Sequence, residues 1–204
     1  MTNRGLFITF EGIDGCGKST QLELVDKYLK EKNHKTLTTL EPGGTKIGKS
    51  LRQILLHHDG FVAKNCELFL YLADRSQQTE EIILKNVNEG ITVLSDRHTD
   101  STIAYQGYAR GGDIEELEQL NKIATKAFCP DLTFLFDIDV EIAQTRVGKE
   151  KDRLESESLE FHKKVRNGYL ELAKKYPNRI KVINSNMSIE SVFGQVKKYI
   201  DEIL

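Results

Sequence analysis

Short apolar runs punctuate a chain that is otherwise patterned for helices. Leu6-Phe7-Ile8-Thr9-Phe10 is nearly continuous in apolar character, as expected of a strand buried on both faces. Residues 36–40, 91–95, 132–136 and 180–183 form four more strand-like runs. Between the runs, apolar residues recur at the three- and four-residue spacing that puts them on one helix face. Leu22, Val25 and Leu29 do so after the first run. Further helices are predicted over residues 45–57, 65–89 and 113–127, with Leu68, Leu72, Ile83 and Val87 available for burial in the second. The last helix carries Ile189, Val192, Phe193, Val196, Tyr199, Ile200 and Ile203. That stripe reads as packing on a sheet rather than as a membrane or cofactor surface. Strand–helix alternation, without a repeat or a low-complexity linker, predicts an α/β fold: a five-stranded parallel sheet with helices on both faces. Ligands of such sheets bind beyond the carboxyl ends of the strands. The segment after the first run, Glu41-Pro42, Asp96 and Asp137 all fall at such ends.

The first of these ends carries the clearest chemistry. Gly12-Ile13-Asp14-Gly15-Cys16-Gly17-Lys18-Ser19 matches G-x-x-x-x-G-K-[ST] at every fixed position, with a strand before it and a helix after. A plain glycine-rich turn is the duller reading; the flanking elements favour a phosphate-binding P-loop. Glycines let the backbone N–H groups turn inward on an anion, and the helix beginning near Lys18 adds the positive end of its dipole. Lys18 would reach the outer phosphates, and the Ser19 hydroxyl would help hold Mg²⁺. Residues Gly12, Ile13, Asp14, Gly15, Cys16, Gly17, Lys18, Ser19 and Thr20 are thus the expected nucleoside triphosphate-binding set, which the family resemblance given below assigns to ATP. Asp96 ends an apolar strand, either as a turn residue or as the second Mg²⁺ group of a nucleotide site. Arg97 follows, and a guanidinium grips phosphate in bidentate fashion. Cys16, near a helix N-terminus, is expected to have a lowered pKa and to react with thiol reagents unless ATP shields it.

Composition narrows the field. The chain has 204 residues, enough for one α/β domain and too few for two ordinary ones. A net charge of −2 gives no basic footprint for nucleic acid. No apolar stretch reaches membrane-spanning length, and the N-terminus meets Glu11 too soon for a secretory signal. Three widely spaced cysteines suggest reduced thiols and a cytoplasmic protein. The histidines show no metal-ligand spacing.

Residues 96–112 read Asp-Arg-His-Thr-Asp-Ser-Thr-Ile-Ala-Tyr-Gln-Gly-Tyr-Ala-Arg-Gly-Gly. This run resembles the thymidylate kinase family, whose pattern Asp-Arg-(Tyr/His), then Ser-x-x-Ala-Tyr-Gln-Gly, it follows with Thr102 in a slot often filled by Ser. Glu41-Pro42-Gly43-Gly44-Thr45, Tyr71-Leu72-Ala73-Asp74-Arg75, Pro130-Asp131-Leu132-Thr133 and Asp152-Arg153-Leu154-Glu155 extend the resemblance along nearly the whole chain. It implies a P-loop kinase that phosphorylates dTMP from Mg-ATP on the way to dTTP, as a homodimer. The implied dTMP-binding set is Asp14, Glu41, Pro42, Arg52, Tyr71, Arg75, Arg97, Thr102, Tyr105 and Gln106. In it Tyr71 stacks on thymine, and Arg75 and Thr102 bond the base edge with Gln106 nearby. Tyr105 sits near the sugar carbon that lacks a hydroxyl, and Asp14 orients the 3′-hydroxyl or an arginine. Arg52 and Arg97 bind the acceptor phosphate. Glu41-Pro42 is expected to be cis. Residues 147–155 resemble the family's lid. Because Gly15 stands where some members carry arginine, the lid supplies the catalytic cation, Arg153 first and then Lys149 or Lys151; a solvated charged turn is the alternative. Lys18, Arg97 and Arg153 form the expected catalytic group. Another nucleoside monophosphate kinase or a deoxynucleoside kinase is the nearest rival. A GTPase switch is the more distant one: Asn121-Lys122-Ile123-Ala124 begins like Asn-Lys-x-Asp but lacks the Asp.

Overall fold

In a computed structural model that describes residues 4–148 and 152–204, five strands form one all-parallel sheet. They are β1 (Phe7–Glu11), β2 (Thr36–Leu40), β3 (Thr92–Asp96), β4 (Leu132–Asp137) and β5 (Ile180–Asn184), in the order β2-β3-β1-β4-β5. Phe7 pairs with Val93 and Ile8 with Leu132, so β1 is central. Alternation along β1 aims Ile8 and Phe10 at one face and Phe7, Thr9 and Glu11 at the other, and all five are buried. Apolar residues on both faces require cover on both, and helices supply it. Ile8 and Phe10 belong to the larger core, while Phe7 and Val93 form a smaller cluster with Ile83 and Val87.

The helices are α1 (Lys18–Glu31), α2 (Lys46–His57), α3 (Lys64–Gln78), α4 (Lys85–Asn88), α5 (Thr99–Thr102), α6 (Ile114–Ala124), α7 (Val140–Arg146), α8 (Leu159–Lys175) and α9 (Ile189–Ile203). The helix predicted over 65–89 is interrupted by a π-helical segment, Thr79–Leu84, between α3 and α4. A second π-helical segment, Ile103–Ala109, continues α5. Neither the helical nature of 99–109 nor α7 and α8 was expected. In α8 the buried positions Phe161, Val165, Tyr169 and Leu172 keep helical spacing, but basic residues crowd the opposite face. Asp113, Ser158 and Ser188 cap α6, α8 and α9, each accepting a backbone N–H of the first turn.

Candidate active site

The loop between β1 and α1 turns on glycines with positive φ. Gly15 has φ +81°, and a Cβ there would meet the Ala143 carbonyl oxygen at 2.2 Å. Only glycine satisfies both the backbone angle and that close approach. Asp14, Gly15, Cys16, Gly17, Lys18, Ser19 and Thr20 line a cleft beside this loop. Gly12 and Ile13 do not border it; Ile13 is buried in the core. Ser19 Oγ donates to Asp96 Oδ2 at 2.7 Å, which joins the α1 start to the end of β3. This pair of hard oxygens suits Mg²⁺. Among the described residues no cluster of three or more His, Cys, Asp or Glu forms a metal cage. Mg²⁺ at Ser19 and Asp96 would therefore draw its remaining ligands from phosphate and water, as its chemistry favours. Burial pushes the Cys16 thiol up more than nearby Lys18 pulls it down. This overturns the lowered pKa expected for Cys16: the side chain lies in the core rather than at the exposed helix end.

Asp14 sits between two cations. Lys18 Nζ is 3.1 Å and Arg97 Nη2 is 2.6 Å from its Oδ1. Burial pushes this carboxyl up, but Arg97 and Lys18 outweigh burial and hold it far below the usual carboxylate range. Arg97 itself has φ +72° at the start of the loop after β3. Its Nη1 donates to Tyr169 Oη at 3.1 Å and Ser101 Oγ at 3.3 Å, its Nη2 to Tyr105 Oη at 3.2 Å, and its guanidinium lies 5.1 Å from the Tyr105 ring centre. Glu11 stands behind this array. Its carboxylate accepts the His98 backbone N–H at 2.7 Å, Ser101 Oγ–H at 2.7 Å and Tyr169 Oη–H at 2.9 Å. Ser101 Oγ and Tyr169 Oη also lie 2.8 Å apart, with either hydroxyl able to donate to the other, and both oxygens accept from Arg97.

A second cleft opens beside the first. Asp14, Glu41, Pro42, Arg52, Tyr71, Arg75, Arg97, Thr102, Tyr105 and Gln106 all line it, although they come from well-separated parts of the chain. Glu41-Pro42 is a cis peptide, and Arg52 Nη1 donates to the Pro42 carbonyl at 2.8 Å. Arg75 is only 1% exposed, and its fork is nearly saturated. Nε donates to Glu41 at 2.8 Å, Nη1 to Thr102 and Asn121 at 2.5 and 2.8 Å, and Nη2 to the His98 carbonyl at 2.9 Å. Of the five N–H groups of a guanidinium, one remains. Glu41 also accepts from Gln78 at 3.1 Å and contacts His98 Nδ1 at 2.9 Å. Tyr71, four residues before Arg75 on α3, shares its helix face.

Several residues of the site were given no individual role in the sequence reading, although Ser101, Asp152, Leu154 and Glu155 stand in its motifs. Leu56, Ser101, Asp152, Leu154 and Glu155 complete the second cleft, and Asp14 and Glu155 border both clefts. Glu11 ends an apolar strand in a carboxylate, the same signal that singled out Asp96. Tyr169 was hidden with the rest of α8. Arg153 does not line either of these clefts: its Nη1 donates to Glu67 at 2.6 Å and its Nε to the Leu55 carbonyl at 2.9 Å. Arg146, at the end of α7, does border the phosphate-loop cleft, with Val147 and Gly148. Lys149 and Lys151 lie outside the described residues.

The clefts and the sheet that presents them have counterparts in known proteins. A family profile described as thymidylate kinase matches residues 10–196. The thymidylate kinase of Caldanaerobacter subterraneus subsp. tengcongensis is 46% identical over 202 residues, covering 98% of this chain and 97% of its own. That of Clostridium novyi is 43% identical over 203 residues, covering 97% and 99%. The crystal structure of thymidylate kinase from Ehrlichia chaffeensis matches with a TM-score of 0.82 at 35% identity, covering 97% of this chain and 99% of that one. Agreement of profile, sequence and fold over nearly the full length establishes that the chain belongs to the thymidylate kinase family.

Proposed function

We propose that the protein transfers the γ-phosphoryl group of Mg-ATP to dTMP, giving ADP and dTDP for dTTP synthesis. The observation that carries this reading is the meeting of two clefts at Asp14 and Glu155, one built on the phosphate loop and one on Tyr71, Arg75, Thr102 and Gln106. The acceptor phosphate oxygen is already ionised at neutral pH, so the transfer calls for positioning and charge stabilisation rather than a strong base. In this reading Lys18 and Arg97 flank the transferred group, Arg97 and Arg52 hold the acceptor phosphate, and Tyr71 offers its ring to the base. The remaining Arg75 donor and the Thr102 hydroxyl face the base edge. Ser19 and Asp96 would hold Mg²⁺, which would offset the charge of the donor phosphates.

The lid cation has two described candidates. Arg153 must leave Glu67 to reach phosphate, whereas Arg146 already borders the donor cleft. Comparing Arg146→Ala with Arg153→Ala in kcat separates them. The homodimer and the cytoplasmic setting belong to the same reading. Ile47 and Ile54, one heptad apart on α2, and Phe69 on α3 are apolar and exposed, which supports self-association. The three cysteines are unpaired, which supports a reducing compartment. The decisive experiment is ADP release from Mg-ATP with dTMP, dUMP, dCMP, AMP, GMP and thymidine as separate acceptors. Strong preference for dTMP is expected; preference for another monophosphate would keep the kinase and overturn the base-reading set, and no stimulation by any acceptor would sink both.

A further inference from the structure

Behind the base cleft lies a carboxylate that the proposed reaction does not use. Glu67 is on α3, four residues before Tyr71 and eight before Arg75, so it continues the helix face that borders the cleft. It is 2% exposed. Its Oε1 accepts Gln106 Nε2 at 2.9 Å, and its Oε2 accepts Arg153 Nη1 at 2.6 Å, with Arg110 Nη2 at 3.4 Å. Burial pushes its pKa up, but the hydrogen bonds from Gln106 and Arg153 and the charge of Arg110 outweigh burial and hold it below the usual range. It is therefore an ionised group, able only to accept.

That property dictates the orientation of Gln106. Reversing the amide would set its carbonyl oxygen against the carboxylate, so the NH₂ group must face Glu67. The carbonyl is then left for the cleft that Gln106 lines. We infer that Glu67 is a positioning residue for base selection, which fixes Gln106 as a hydrogen-bond acceptor for a pyrimidine that carries N3–H. Thymine and uracil carry that hydrogen; cytosine presents a lone pair at N3, which would meet the carbonyl lone pairs. The buried acceptor thus discriminates by leaving the wrong base unpaired. This inference rests on dTMP being the acceptor, and it adds the reason that a cytosine nucleotide is refused.

Three measurements test it. On the unaltered protein, N3-methyl-dTMP is set against dTMP as a competitor; at least about tenfold weaker binding is expected, on the scale of one lost hydrogen bond. Equal binding would overturn the inference without any variant having to fold. In Glu67→Gln the side chain both donates and accepts, so the Gln106 amide is free to turn. The kcat/KM for dTMP is expected to fall, mostly through KM, while that for dCMP rises, shifting their ratio about tenfold or more. Glu67→Gln also frees Arg153 and Arg110, so the ratio is read against a background in which Gln106 cannot act. In a Gln106→Leu background, Glu67→Gln should leave the ratio unchanged, because the residue acts through that amide. An unchanged ratio in an enzyme active on dTMP would sink the inference alone. Absence of any dTMP activity in the unaltered protein would sink the proposed function beneath it.

Discussion

Asp74 offers a sharp test of how charge is buried beside the base cleft. Its Oδ1 accepts the Gly43 backbone N–H at 3.1 Å, while Oδ2 is buried with no partner among the described residues. Burial, reinforced by the charge of Glu41, pushes this carboxyl from an ordinary 3.8 up to about 7. Because the folded pKa is the higher one, the folded state binds more protons between these values. Stability from this group is fully present below pH 3.8 and is lost as pH rises through 7. A shift of about three units corresponds to roughly 4 kcal/mol at full ionisation, of which about 2–3 kcal/mol disappears between pH 5 and 8. Asp74→Asn keeps an oxygen for Gly43 and has no charge to acquire. Its amide nitrogen replaces an unpartnered oxygen, which costs about 1–3 kcal/mol, but equally at every pH. Urea unfolding of both proteins at several pH values from 5 to 8 gives the comparison. The wild type should lose about 2–3 kcal/mol relative to the variant across that window. Glu11, pushed up to about 7 by burial and by Asp100, adds a decline of the same sign to both proteins and cancels. Parallel curves would show that Asp74 does not ionise at a buried cost, and the reasoning would fail.

Other expectations concern the reaction itself. Arg97→Ala removes a guanidinium that touches Asp14, Ser101, Tyr105 and Tyr169; kcat/KM for dTMP should fall by about a hundredfold or more, and a variant within threefold of wild type would remove Arg97 from the mechanism. Asp96→Asn keeps the fold but weakens the oxygen pair with Ser19, so the Mg²⁺ concentration for half-maximal rate should rise severalfold at fixed ATP. Cys66 and Cys129 are exposed and Cys16 is not. A thiol titration of the native protein should therefore show two fast groups and one slow, with the slow one released by denaturant; three equal rates would contradict the burial of Cys16.

How much of this was legible beforehand depends on whether the signal is local. β1, β3 and β4 were readable because each is a nearly continuous buried run, the partly exposed edge strands β2 and β5 because their β-branched and apolar residues cluster between helical stretches, and the phosphate loop because its fixed residues lie within eight positions. The cleft residues were readable only through a family pattern: nothing in the spacing of Glu41, Tyr71, Arg75 and Gln106 says that they meet. Their meeting is a property of the sheet order, which sets the ends of β2 and β3 side by side and brings α3 against both. Residues that act through other residues were the least legible. Glu11, Glu67 and Tyr169 touch arginines or amides rather than an open motif, and a buried carboxylate looks like any strand-end or helix residue until its partners are seen. The lid shows the same limit from the other side. Its basic residues are plain in the sequence, yet their order of importance rests on which acceptor each finds, and Arg153 finds Glu67. The carboxylate that binds Gln106 also binds Arg153, so the cleft lined by Gln106 and the segment expected to form the lid share one carboxylate. In the proposed reading, movement of Arg153 toward phosphate would leave Glu67 to Gln106 and Arg110, and would couple the lid to the base-reading amide through that carboxylate.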